Sequence, residues 1–267
     1  MWNMKKYRIV VGVWMLLLSS ASCMDDTGRY GQDNRNYRIT ASIEDANVAS
    51  RVADKNNRTS FTKNDEIFIG WSGSASYKYL CSGTDNVFVP NASDANRELW
   101  TGLLNASSTK EVYAWYGTMS STLPAVGTNI SIPPDQTSDS KMLSAICMAA
   151  HQSASSTTNT LDFTFHHLTA RLFISVDVVD DIVMQEDVMG ATARLNRIYT
   201  AGNVATDTSS KEYLLNVPTD KAGTGSIRMN RSWSDQEAFH LDFECLLPPQ
   251  ILGEEQNVTI ILANGKE

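Results

Sequence analysis

Leu161-Asp162-Phe163-Thr164-Phe165-His166-His167-Leu168-Thr169-Ala170-Arg171-Leu172-Phe173-Ile174-Ser175-Val176-Asp177-Val178 decides the fold. Leu161, Phe163 and Phe165 alternate with polar neighbours, and Leu172, Ile174, Val176 and Val178 do so over a longer run. Successive side chains of an extended chain point to opposite faces, so alternation builds one apolar face and one wet face. Aromatic and β-branched residues suit that half-buried surface. The stretch therefore reads as two strands, over 161–165 and 169–178.

The same pattern recurs on either side. Tyr37–Ile43, Glu66–Trp71, Val87–Val89, Glu111–Tyr116, Lys211–Val217, Ser226–Met229, Ala238–Leu246 and Asn257–Leu262 are short apolar or alternating runs. Turn formers such as Pro133-Pro134, Ser72-Gly73 and Gly223-Thr224-Gly225 separate them. Helical spacing is confined to Asp94–Leu104, through Leu99, Trp100, Leu103 and Leu104 with Asp94 as cap, and to Ser140–Ala150. Many short strands with turns between them indicate an all-β sandwich or barrel. An acidic loop at Asp180–Glu186 marks a division into 37–179 and 180–267. The second part is small for a sandwich. Asn264-Gly265 signals a type I′ hairpin, so a returning strand is expected after Lys266-Glu267, either from a longer chain or from elsewhere.

The N-terminus reads as an export signal. Lys5, Lys6 and Arg8 precede the apolar run Ile9–Leu18, and Ser19–Ser22 lead to Cys23. Residues 1–22 fit a cleaved signal peptide, and the apolar run is too short to span a bilayer. Cys23 after small residues resembles a lipobox, with Ser20 where Leu is usual, so Cys23 is the expected lipidation site. Polar residues 23–36 form the tether. Acyl chains add about 0.8 kcal/mol of membrane affinity per buried methylene. A net charge of -8 argues against nucleic acid as a partner.

Reactive chemistry is hard to find. Cys81, Cys147 and Cys245 are far apart, without C-x-x-C spacing; Cys147 and Cys245 read as buried inert thiols, and one disulfide among the three stays open. His166 and His167 point to opposite faces of a strand and cannot chelate one metal together. His151 and His240 stand in unrelated contexts. The acidic group Asp177, Asp180, Asp181, Glu186 and Asp187 lacks calcium-loop spacing. No G-x-S-x-G, G-x-G-x-x-G or P-loop occurs. No metal, cofactor or enzymatic activity is expected. Trp71 and Trp233 are the candidates for a ligand platform, although strand aromatics more commonly fill cores.

Four segments resemble the fimbrillin family of Bacteroidetes, including Mfa-like fimbrillin lipoproteins. Arg58–Ile67 with Trp71 resembles the family's opening motif, and Tyr113-Ala114-Trp115-Tyr116 its aromatic strand. Leu161–Leu172 resembles the F-x-H-x-x-[ST/A]-[KR]-[LV] strand pair; Leu246-Leu247-Pro248-Pro249-Gln250 with Asn257–Gly265 resembles the closing segment. Asp25-Asp26 after Cys23 resembles the surface-export signal of Bacteroidetes lipoproteins. The resemblance implies two tandem transthyretin-like β-sandwich domains, the second complete or lacking a strand. It implies a lipid-anchored, surface-exposed outer-membrane protein in adhesion or in pili built by strand exchange, with other pilus subunits or host and bacterial surface ligands as partners. Family pilins lose an N-terminal strand to an Arg-specific protease, and Arg51 and Arg58 follow the first strand run. The alternative is a surface glycan-binding lipoprotein of a nutrient-uptake system.

Overall fold

The computed structural model describes residues 37–44, 60–71, 76–178, 184–219, 223–232 and 239–266, with backbone alone at 93–95. In chain order these form β1 (Arg38–Ile43), β2 (Glu66–Gly70), β3 (Tyr77–Cys81), β4 (Val87–Pro90), α1 (Ser93–Leu104), β5 (Lys110–Gly117), β6 (Asn129–Ser131), α2 (Asp139–Leu143) and β7 (Cys147–Ala154). They continue with β8 (Thr160–His167), β9 (Ala170–Asp177), α3 (Gln185–Met189), β10 (Thr192–Ile198), β11 (Ala201–Thr206), β12 (Tyr213–Asn216), β13 (Gly225–Arg228), β14 (Asn230–Ser232), β15 (His240–Leu247) and β16 (Asn257–Ile261).

The fold is all-β, as the alternation predicts. Of the sandwich or barrel that the strand pattern allows, the first sheet takes the barrel, where the family resemblance implies a sandwich, closing in the order β1-β4-β3-β2-β5-β7-β8. Parallel pairing of β1 with β8, from Arg38↔Thr160 to Ile43↔Phe165, makes the closure. Ile39, Ala41, Leu161, Phe163 and Phe165 bring their alternate side chains into one core with Leu99, Trp100 and Leu103 of α1. The cap of α1 falls at Ala92, without a side-chain bond, rather than at Asp94.

The expected helix over 140–150 stops at Leu143, and Cys147–Ala154 is strand β7. The reason is burial on both faces. Met148 and Ala150 face the barrel core, while Cys147 and Ala149 face a second layer, β12-β11-β6, laid over β2, β5 and β7. A strand covered on both sides shows a continuous apolar run instead of alternation. Tyr113 and Tyr213 stack in that layer with centroids 4.5 Å apart.

The remaining strands form two three-stranded sheets, β13-β10-β16 and β14-β15-β9, around a separate core. Among the described residues two strand pairs and the isolated Asp135–Arg228 bridge cross the division at 179/180. β9 joins β15 from Ala170↔Leu247 to Asp177↔His240, and β11 joins β6. The turn after β16 bonds Gly265 N–H to Leu262 O at 2.9 Å, with Gly265 at φ 80°. Among the described residues of this turn only Gly265 is left-handed, so it is a type I turn with a glycine bulge and not type I′.

Candidate functional site: the open seam of the second core

Residues 225–232 change sheets. β13 pairs with β10, and β14, after a break at Met229, pairs with β15. Met229 donates its N–H to Ala193 O at 2.9 Å. This strand closes one side of the second core, where Leu195, Ile227, Leu241, Phe243 and Cys245 are at most 2% exposed.

Among the described residues no strand closes the other side. β9 and β16 are the last strands of their sheets. Among the described residues, β9 pairs only with β15; β16 pairs only with β10, and just beyond it Leu262 N–H reaches Lys266 O at 2.9 Å. Leu172, Ile174 and Val176 of β9 with Val178 just after it, and Val258 and Ile260 of β16 with Leu262 just after it, pack against this core yet stay half-buried. Two strand edges thus carry partly buried apolar residues of one core. Edge N–H and C=O groups template a further strand, and a period-two apolar wall selects alternate side chains from it.

The far face of β9 is tied to β15 by polar side chains. Arg171 pairs with Glu244, which is fully buried and also accepts from Asn230 Nδ2 at 3.3 Å. Ser175 Oγ donates to Asp242 Oδ1 at 2.7 Å, and His240 Nδ1 meets Asp177 Oδ1 at 2.6 Å. His240 Nε2 lies 2.9 Å from Ser175 Oγ and 3.1 Å from Asp242 Oδ1. This copies the order of a Ser-His-Asp triad but not its chemistry. The hydrogen bond to Asp177, with Asp242 beside it, raises the His240 pKa. The Ser175 hydroxyl donates to Asp242 Oδ1, so its proton is directed away from the ring. The cluster is a cross-strand tie. Sequence reading missed it because Asp177 and His240 lie 63 residues apart.

Gln136, fully buried, fixes this sheet to the barrel. Its Nε2 donates to Leu246 O at 2.7 Å, and its Oε1 accepts from Leu246 N–H at 2.8 Å. Asp135 holds Lys141 at 2.8 Å and Arg228 at 2.7 Å, and the Lys141 bond leads in lowering its pKa to about 2.

Of the residues singled out from sequence, Cys23, Arg51, Arg58 and Trp233 lie outside the described residues. Trp71 follows β2, half-buried, with Lys110 Nζ 5.1 Å from its ring; a Cβ on Gly102 would meet its Cη2 at 2.5 Å. Its indole therefore packs α1 against the barrel. Cys81, Cys147 and Cys245 are buried free thiols, and burial pushes Cys245 up to about 12. His166 Nε2 meets Tyr213 O at 3.1 Å. His151 is not isolated: it meets Glu111, which Ser153 also binds at 2.8 Å. Asp187 of the acidic group accepts from Asn264 Nδ2 at 2.7 Å. Among the described residues no His, Cys, Asp and Glu group is placed to hold a metal ion, and no helix is long and apolar enough to cross a membrane.

No curated protein matches this sequence. The structure is similar to a candidate cell adhesion protein of Bacteroides uniformis, with TM-score 0.53 and 17% identity, covering 88% of this chain and 84% of that one. It is also similar to one from Bacteroides ovatus, with TM-score 0.57 and 14% identity, covering 86% and 84%. At these identities the likeness shows a shared fold. A sequence model described as fimbrillin-like matches residues 50–267, so this chain belongs to the fimbrillin-like family.

Proposed function

We propose that the protein is a surface lipoprotein of the adhesion and pilus machinery, and that the seam between β9 and β16 takes a strand from another pilus subunit. The burial gradient of the second core carries this reading: its apolar residues are sealed beside β13 and β14 and half-exposed only along β9 and β16. A strand lying in the seam satisfies two edges and buries both walls. Family membership supports a structural rather than catalytic role at the cell surface. The polar ties of His240 and Ser175 hold β9 in place as an acceptor edge.

Cys23 supplies the lipid anchor in the outer membrane, and the barrel with its covering layer and the second core correspond to the family's tandem transthyretin-like domains. Cleavage at Arg51 or Arg58 gives a second route to strand exchange. β1 lies between β4 and β8 with Ile39 and Ala41 at most 2% exposed, so its release leaves a matching apolar slot in the barrel. The test is to express the full chain with its signal in its native envelope, label it with palmitate, and run unheated gels. Lipid labelling at Cys23 and ladders that collapse on boiling are expected. An unlabelled, strictly monomeric surface protein overturns the proposal.

A further inference from the structure

A recess of about 510 Å³ opens beside β2, β3 and β5 of the barrel. Its walls are the turn into β2, with Asn64 and Glu66, and the turn after β5, with Ser120 and Ser121. Phe68 and Tyr116 line it with carbon surface, and Lys78 bridges to Glu66 at 2.6 Å. The size lies within the range of small-ligand sites, roughly 300–1,000 Å³.

The walls are set before any ligand arrives. Asn64 sits at φ 71° and donates its N–H to Cys81 O at 2.9 Å. The Asp65 carboxylate is occupied by Thr62 N–H at 2.5 Å and by the Thr62 hydroxyl at 3.2 Å. Gly117 sits at φ 150°, and a Cβ there would lie 2.8 Å from Ile146 O. Thr118 Oγ1 is fixed on Ser144 O at 2.7 Å and Ser120 Oγ on Thr122 O at 2.7 Å. Groups held in place lose little freedom on binding.

The chemistry of the lining narrows the occupant. Asp65 and Glu66 against Lys78 leave the lining with a net negative charge, so the recess repels a phosphate or a polyanion. β2, β3 and β5 are each paired on both sides within the barrel, so a peptide cannot add here as a strand. The rim of amide, hydroxyl and ion-paired groups does not suit a purely apolar ligand. The Asn64 carboxamide and the Ser121 hydroxyl take no partner among the described residues. Open amide and hydroxyl groups beside aromatic carbon match a molecule with hydroxyls on its rim and C–H groups on its face. We infer that this recess is a saccharide-binding site for an uncharged sugar unit of a surface glycan. It stands independently of strand addition at the seam.

The test uses the full-length protein on an array of host and bacterial surface oligosaccharides, with calorimetric titration of the strongest binder. Ser121→Trp fills the recess, and Asn64→Gly keeps the backbone while removing the carboxamide. Each is expected to weaken binding about tenfold or more at an unchanged melting temperature. Ser210→Trp on a distant turn and Ile260→Asp in the seam should leave binding intact. A blank array, or wild-type affinity in both recess variants, overturns the inference.

Discussion

Replacing Ile260 with Asp separates the seam as a docking edge from the seam as ordinary core. Ile260 pairs with Ala193 on β10 and faces the second core while half-buried. Full burial of an Ile side chain is worth roughly 1.5–3 kcal/mol. A half-buried one gives up about half of that, so the lone chain should lose about 1–1.5 kcal/mol and melt about 2–6 °C lower. With a strand across the seam, the new carboxylate is sealed in apolar surroundings at a penalty of several kcal/mol. Each 1.4 kcal/mol is a factor of about ten, so association should weaken by about a thousandfold or more. The assay is ladder formation in unheated gels beside thermal melting of the purified chain. Leu214→Asp, 38% exposed on β12, is the matched control and should assemble normally. Ladders of wild-type length from Ile260→Asp refute the reasoning. So does a fall of tens of degrees in the lone chain, because the residue would then be fully enclosed.

Gln136→Ala removes the side chain that satisfies both Leu246 N–H and Leu246 O. Two orphaned backbone groups should cost roughly 2–4 kcal/mol in urea unfolding, and an unchanged midpoint would show that the loop does not fasten the sheet. The His240 pKa is raised on folding, with Asp177 and Asp242 facing the ring. Its stabilisation is therefore complete below the unfolded value, about 6.5, and is lost as pH rises through the folded value. Unfolding midpoints should fall across that range in the native chain and fall less in Asp177→Asn, where only Asp242 still faces the ring. Cys81, Cys147 and Cys245 are buried, so a thiol reagent should label none of them until denaturant is added; fast native labelling at Cys245 would contradict its elevated pKa.

One buried face helps a strand to be read but does not decide it: β15, buried on both faces, is legible in the sequence, while β10, buried on one, is not. β8 alternates cleanly, and its register against β1 puts Leu161, Phe163 and Phe165 inside. β7, also covered on both faces, was illegible. β3 was obscured by Tyr77, Lys78 and Tyr79, of which only Tyr79 is buried. β14 spans just Asn230–Ser232, too short for any period. The site was less legible still. Its apolar residues read correctly as strand faces, but whether a face is sealed depends on which strand lies next to it, and 257–262 carries no mark of that. The Asp177–His240 and Gln136–Leu246 ties are products of topology alone.

The barrel and the second core start from the same material and treat their edges oppositely. β1, with Ile39 and Ala41, is captured on both sides, and closure abolishes the edge. β9 and β16, with the same alternation, end their sheets. Proteins that remain single chains usually blunt such edges with Lys, Pro or a charge aimed along the rim. β9 (ARLFISVD) and β16 (NVTII) contain neither Lys nor Pro. The charged residues of β9 are turned onto β15, Arg171 to Glu244 and Asp177 to His240. An apolar edge left unguarded while its charges are bound elsewhere is a hazard for a solitary protein and an asset for one completed by another strand. That contrast is what the proposed strand addition would account for and simple instability would not.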